Sequence, residues 1–152
     1  MPIDATPATL PDLDCACATI RRTARLVTQL YSQEMGPEIE PPQFALLSAF
    51  QYRPGIGQTP LARALGLDKT TLSRNLRLMQ RNGWITPAGD SRNKGDRKTY
   101  RLTPEGERIL AETRPGWMRA QEKLRSALAA GEWDTMLKAF GQVAKAAKQA
   151  MD

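Results

Sequence analysis

Apolar positions recur every three to four residues along most of this chain, and one short stretch breaks the rule. Leu13, Cys17, Ile20, Ala24, Val27 and Tyr31 alternate four and three apart. That near-heptad seam predicts a helix from about Pro11, ended by Met35-Gly36-Pro37, with a face suited to another helix. A second helix, about Pro42 to Tyr52, turns Phe44, Leu47 and Phe50 inward before Arg53-Pro54-Gly55 breaks it. From Thr59 to Gly83 the pattern predicts two short helices joined by a tight turn. Thr59 and Pro60 serve as N-cap and first residue of one, and Gly66 stops it; Asp68 caps the next, which Gly83 ends. In that next helix Leu72, Leu76 and Met79 form an apolar stripe, while Thr70, Ser73, Arg74 and Arg77 point the other way.

The break in helical periodicity follows Gly83. Trp84–Ile85–Thr86 and Lys98–Leu102 favour β-structure and flank a Gly-, Asn- and charge-containing loop, which predicts a hairpin with a basic tip at Arg92, Lys94, Arg97 and Lys98. Thr103 then caps a long helix with Pro104 at its first position. Leu110, Thr113, Trp117, Leu124 and Leu128 mark its buried side, and Pro115 kinks it without ending it. After a break at Ala130-Gly131, a last helix carries Trp133, Leu137, Phe140, Val143 or Ala144, and Ala147. The terminal helices carry more apolar seam than one chain of 152 residues readily covers, which predicts a helical dimer interface.

Charge sharpens this picture. Between Gly57 and Thr103, ten Lys and Arg stand against three Asp and Glu, a net of +7, whereas the remainder nets −1. The chain's +6 is therefore gathered on the paired short helices and the hairpin, as an electrostatic footprint for DNA would be. Guanidiniums and hydroxyls on one helix face suit guanine edges and phosphate oxygens, and a hairpin directly after such a helix can lie beside the minor groove, whose potential favours Arg. There is no histidine, no phosphate-binding glycine loop and no nucleophile–base pair, so the residues support no enzyme. The acidic, Pro-rich start lacks the basic and apolar regions of a signal peptide, and no run approaches a membrane span, so a cytoplasmic protein without membrane contact is expected.

The stretch LARALGLDKTTLSRNLRLMQRNGWI, the Asp90-x-Arg92 of the hairpin and the Leu102-Thr103-Pro104-Glu105-Gly106 junction together resemble the MarR family of winged-helix regulators, from about Leu13 to the C-terminus. The resemblance implies a mainly α fold with a small β-hairpin wing. A winged helix-turn-helix at residues 41–103 is flanked by dimerisation helices at 11–35 and 104–150, with a flexible tail at 1–10. It implies a homodimer on a pseudo-palindromic operator in double-stranded DNA, most often a repressor, with no cofactor. Thr70, Ser73, Arg74 and Arg77 would face the major groove and Arg63 and Lys69 the phosphates; Arg92, with Arg97 or Lys94, would serve the wing. The extra Asp96-Arg97 pair leaves open which arginine enters the minor groove.

Two release mechanisms fit that family. Cys15 and Cys17 lie where its thiol sensors carry a reactive cysteine, and a helix N-terminus promotes thiolate chemistry. Cys17 falls on the apolar seam and reads as a small core residue, so Cys15 is the better sensor; two thiolates alone fall short of zinc's four ligands, and no metal is expected. The other switch is a small phenolic or aromatic effector in a cleft lined by Tyr31, Met35, Phe44 and Trp117. A winged helix used for protein interaction without specific DNA binding is the alternative reading.

Overall fold

The computed structural model describes residues 15–89 and 98–152. Its elements in chain order are α1 (Ala16–Met35), α2 (Pro41–Tyr52), α3 (Gln58–Leu65), α4 (Lys69–Arg81), β1 (Ile85–Gly89), β2 (Thr99–Leu102), α5 (Pro104–Ser126) and α6 (Glu132–Met151). The mainly helical architecture with one antiparallel hairpin is the one the periodicity predicts.

The core gathers under the paired short helices and the hairpin. Phe44, Leu46, Leu47 and Phe50 of α2 pack with Leu61 of α3, with Leu72, Leu76 and Met79 of α4, and with Ile109 and Leu110 of α5. Trp84, Ile85 and Tyr100 seal the hairpin side, with Tyr100 tilted against Phe50 at 6.2 Å between ring centres. The hairpin pairs Ile85 with Leu102, Thr86 with Arg101 and Pro87 with Tyr100, then shifts register so that Gly89 faces Thr99. Pro87, which has no N–H to donate, is tolerated because a two-stranded sheet leaves both outer edges unpaired.

Two glycines on α5 set how its neighbours approach. A Cβ on Gly106 would overlap the main-chain carbonyl of Trp84, and one on Gly116 would overlap that of Glu34 and lie 2.9 Å from the Met35 Cα. The first contact lets the chain leaving α4 lie directly on the start of α5. The second is where the end of α1 crosses α5. There Glu34 is paired with Lys123 and with Arg119, the latter at 3.3 Å, and these cations hold its carboxyl below the usual carboxylate range.

Several boundaries differ from expectation. Cys15 is extended and occupies the N-cap of α1, so that helix starts at Ala16; the expected start at Pro11 lies outside the described residues. α3 starts at Gln58 with Gly57 as its N-cap, which places Thr59 and Pro60 inside the first turn. Proline fits there because the first N–H groups of a helix have no intrahelical partner to lose. α2 begins at Pro41, one residue early, and the Glu40 N–H donates to the Gln43 side chain at 3.0 Å. α5 runs through Pro115 as expected but stops at Ser126, leaving Leu128 beyond it.

α1 and α6 bury no residue, and α6 packs substantially on no other element. Leu137, Phe140 and Val143 on α6 are 53%, 42% and 44% exposed. No described helix is long and apolar enough to cross a membrane.

Candidate nucleic-acid interface and effector cleft

Helix α4 owes its position to both ends. The Asp68 carboxylate accepts from the Thr71 N–H at 2.8 Å and from the Thr71 hydroxyl at 2.6 Å, which fixes where the helix starts. The preceding turn is closed by Gly66 in the left-handed region (φ 64°) and by the Leu67 N–H donating to the Ala62 carbonyl at 2.9 Å. At the far end Gly83 (φ 72°) turns the chain toward the hairpin, and the Thr103 hydroxyl donates to its carbonyl. Thr103 in turn accepts from the Gly106 N–H at 3.0 Å, so one side chain joins the exit of α4 to the entry of α5.

The bonds from Thr71 hold the Asp68 carboxyl below its ordinary range. A group shifted that way stabilises the fold at neutral pH and loses its contribution as pH falls through the folded value. Asp68→Ala is therefore expected to lower the melting temperature at about pH 7, with the gap to the parent narrowing toward about pH 3. Thermal melts followed by circular dichroism at the two pH values check this; a gap that widens in acid contradicts the capping role.

With α4 fixed by its caps and its buried stripe, its other face is open. Thr70, Ser73, Arg74 and Arg77 are all exposed, and together with Lys69 and Gln58 they line a polar groove of about 490 Å³. No ion pair among the described residues involves Arg74 or Arg77, so both guanidiniums are available to an outside anion. Arg63 is exposed in the last turn of α3, outside that groove. Arg92, Lys94 and Arg97, with the Asp90-x-Arg92 motif, lie outside the described residues.

A second concavity, about 790 Å³, opens between α1, α2 and α5. Tyr31, Phe44 and Trp117 line it as expected, with Phe44 and Trp117 stacked at 5.8 Å and 24°. Met35 does not line it: at the very end of α1 it packs against the core cluster, one turn past the face Tyr31 presents. Three polar residues that sequence reasoning missed share the cleft. Arg114 donates to Gln51 at 3.0 Å across the gap from α5 to α2, and the buried Ser48 Oγ has no hydrogen-bond partner among the described residues. The Tyr31 hydroxyl donates to Gln121, and burial pushes its pKa up, so it stays a neutral donor. No periodic signal marks Ser48 or Arg114, since their importance comes from which helices meet there.

Cys15 and Cys17 are both exposed and unpaired with each other. Cys17, expected on the apolar seam of α1, is exposed within the single chain. Among the described residues no group of three or more metal-ligating side chains gathers.

A sequence profile described as MarR family matches residues 38–96. Over 101 residues the chain is 32% identical to the transcriptional regulator HosA of Escherichia coli O127:H6, covering 66% of this chain and 74% of that protein. Among solved structures it is similar to the M. tuberculosis transcriptional regulator MosR in complex with DNA, at 28% identity and a TM-score of 0.78, over 90% of this chain and 98% of that one. It is similar also to the PcaV transcriptional regulator from Streptomyces coelicolor in complex with its natural ligand, at 27% identity and a TM-score of 0.77, over 87% and 93% of the two chains.

Proposed function

We propose, because this chain belongs to the MarR family of transcriptional regulators, that it is a repressor binding a pseudo-palindromic operator as a homodimer and released by a small aromatic acid. The observation that carries the DNA reading is the division of α4: Leu72, Leu76 and Met79 are buried, and the opposite face offers two exposed arginines, in no ion pair among the described residues, and two hydroxyls to a groove. In this reading Arg74, Arg77, Thr70 and Ser73 meet base edges and nearby phosphates, Lys69 and Arg63 meet backbone phosphates, and the wing with Arg92 and Lys94 or Arg97 follows the minor groove. The homodimer is supported by the exposed apolar residues of α6 and by the absence of any buried residue on α1. Two such subunits place their α4 helices to read half-sites roughly 34–36 Å apart.

The effector reading rests on the cleft between α1, α2 and α5. Stacked Phe44 and Trp117 offer an apolar slot, and Arg114 offers a guanidinium for a carboxylate. Leu65, the last residue of α3, also lines the cleft, so an occupant there touches the turn that sets α4. The occupant must favour the DNA-incompetent state by a few kcal/mol to empty the operator.

Fluorescence anisotropy with the gene's own upstream duplex tests both parts. Binding is expected to weaken steeply with salt and to be reversed by an aryl carboxylate such as 4-hydroxybenzoate, less well by its amide. Absence of binding at low salt sinks the DNA reading. Acid and amide acting alike, or Arg114→Ala leaving the preference for the acid intact, sinks the role given to Arg114.

A further inference from the structure

Gln58 is the first residue of α3, and its side chain touches two things at once. Its Nε2 donates to the main-chain carbonyl of Lys98 at 3.3 Å. The same side chain lines the polar groove with Lys69, Thr70, Ser73, Arg74 and Arg77. Lys98 immediately precedes β2, and Gly89 opposite Thr99 is the last described pairing of the ladder on that side. The carbonyl held by Gln58 therefore lies just past the last described pair. A two-stranded hairpin is marginal alone, so its direction must be set by anchors outside it. At the near end these are buried Trp84 and Ile85 and the Thr103 N–H bonded to the Trp84 carbonyl at 3.0 Å, and buried Tyr100, next to the last described pair, anchors β2 to Phe50 of the core. At the far end of the ladder, the Thr99 hydroxyl donates to the Gly89 carbonyl at 3.1 Å within the hairpin, and Gln58 ties the hairpin to the helix-turn-helix.

We infer that Gln58 is a positioning residue for DNA recognition, setting the angle of the wing relative to α4 through the Lys98 carbonyl. This rests on the DNA reading above. The amide spends one N–H on the wing, and its contribution to affinity is delivered by whatever the wing contacts. Its loss is then felt only while the wing is able to bind.

The test is a double-mutant cycle read by operator anisotropy. Gln58→Met keeps the side-chain length and removes the donor. In the parent it is expected to weaken binding about five- to tenfold, the equivalent of one hydrogen bond, and to flatten the salt dependence. In a background with Arg92→Ala, Lys94→Ala and Arg97→Ala together, the same change is expected to cost nothing further. Equal losses in both backgrounds overturn the inference, because Gln58 then acts through its own contacts. Unchanged affinity in the parent overturns it too, as does a wing-neutral background that binds like the parent. If Gln58→Met melts early, Gln58→Asn, one methylene too short to reach Lys98, gives the same comparison. A parent protein that binds no duplex at low salt fails differently: it removes the DNA reading itself.

Discussion

Gly106→Ala is expected to destabilise the fold by about 3 kcal/mol, and Gly106→Val to abolish cooperative unfolding, in urea titrations followed by tryptophan fluorescence. The added methyl would overlap the Trp84 carbonyl, with the Trp84 carbonyl carbon 2.9 Å away and its Cα 3.3 Å away. Overpacking is usually relieved when a flexible side chain swings aside, but here the obstruction is main chain. That main chain is itself committed: the Trp84 carbonyl accepts from the Thr103 N–H, its N–H donates to the Met79 carbonyl at 3.0 Å, and the indole is buried. Relief requires α5 to withdraw from the hairpin, which uncovers Ile109 and Leu110 in the core. For a domain whose whole stability is on the order of 5–15 kcal/mol, that is a large fraction. A Gly106→Ala midpoint indistinguishable from the parent would show that the approach is looser than described.

The second large effect concerns binding. Arg74→Ala combined with Arg77→Ala is expected to reduce operator affinity by more than about a hundredfold at fixed salt, with the melting curve unchanged. Both arginines are exposed and neither is in an ion pair among the described residues, so the fold does not depend on them. Each sits one turn from the other on the face opposite Leu72 and Leu76, so both are expected to reach the same stretch of duplex. Anisotropy titrations on operator and scrambled duplex separate the two contributions: lost base contacts lower the ratio between them, and lost phosphate contacts lower both. A double variant within about threefold of the parent would remove α4 from the recognition surface.

How much of this was legible follows from what each signal reports. α4 was readable to its termini because a buried stripe, an Asp cap and a following glycine all agree on one helix. The start of α3 was misplaced because proline is tolerated throughout a first turn, so Pro60 does not single out one position. Tyr31, Phe44 and Trp117 were named from the cleft that the family resemblance implies, and they line the concavity between α1, α2 and α5. Met35 was swept in with them although the end of α1 presents it to the core. Arg114, Ser48 and Gln58 carry no local pattern at all: each matters through a partner 40 or more residues away or through a cleft formed by three helices. Cys17 follows the seam in sequence and is exposed within the single chain, because burial of that seam depends on which helix packs on it.

The two glycines of α5 have a consequence for motion. Gly106 and Gly116 are ten residues apart, about 15 Å along the axis, and each is pressed by a carbonyl from a different part of the chain. A helix wedged at two such points cannot roll like a rod between bearings without driving one carbonyl or the other into its backbone. Bending is the freedom left to it, and the rung missing from its ladder is the one from Pro115, which has no N–H to donate, back to the Ala111 carbonyl. That turn also carries Arg114, so flexing of this shaft is expected beside the cleft between α1, α2 and α5.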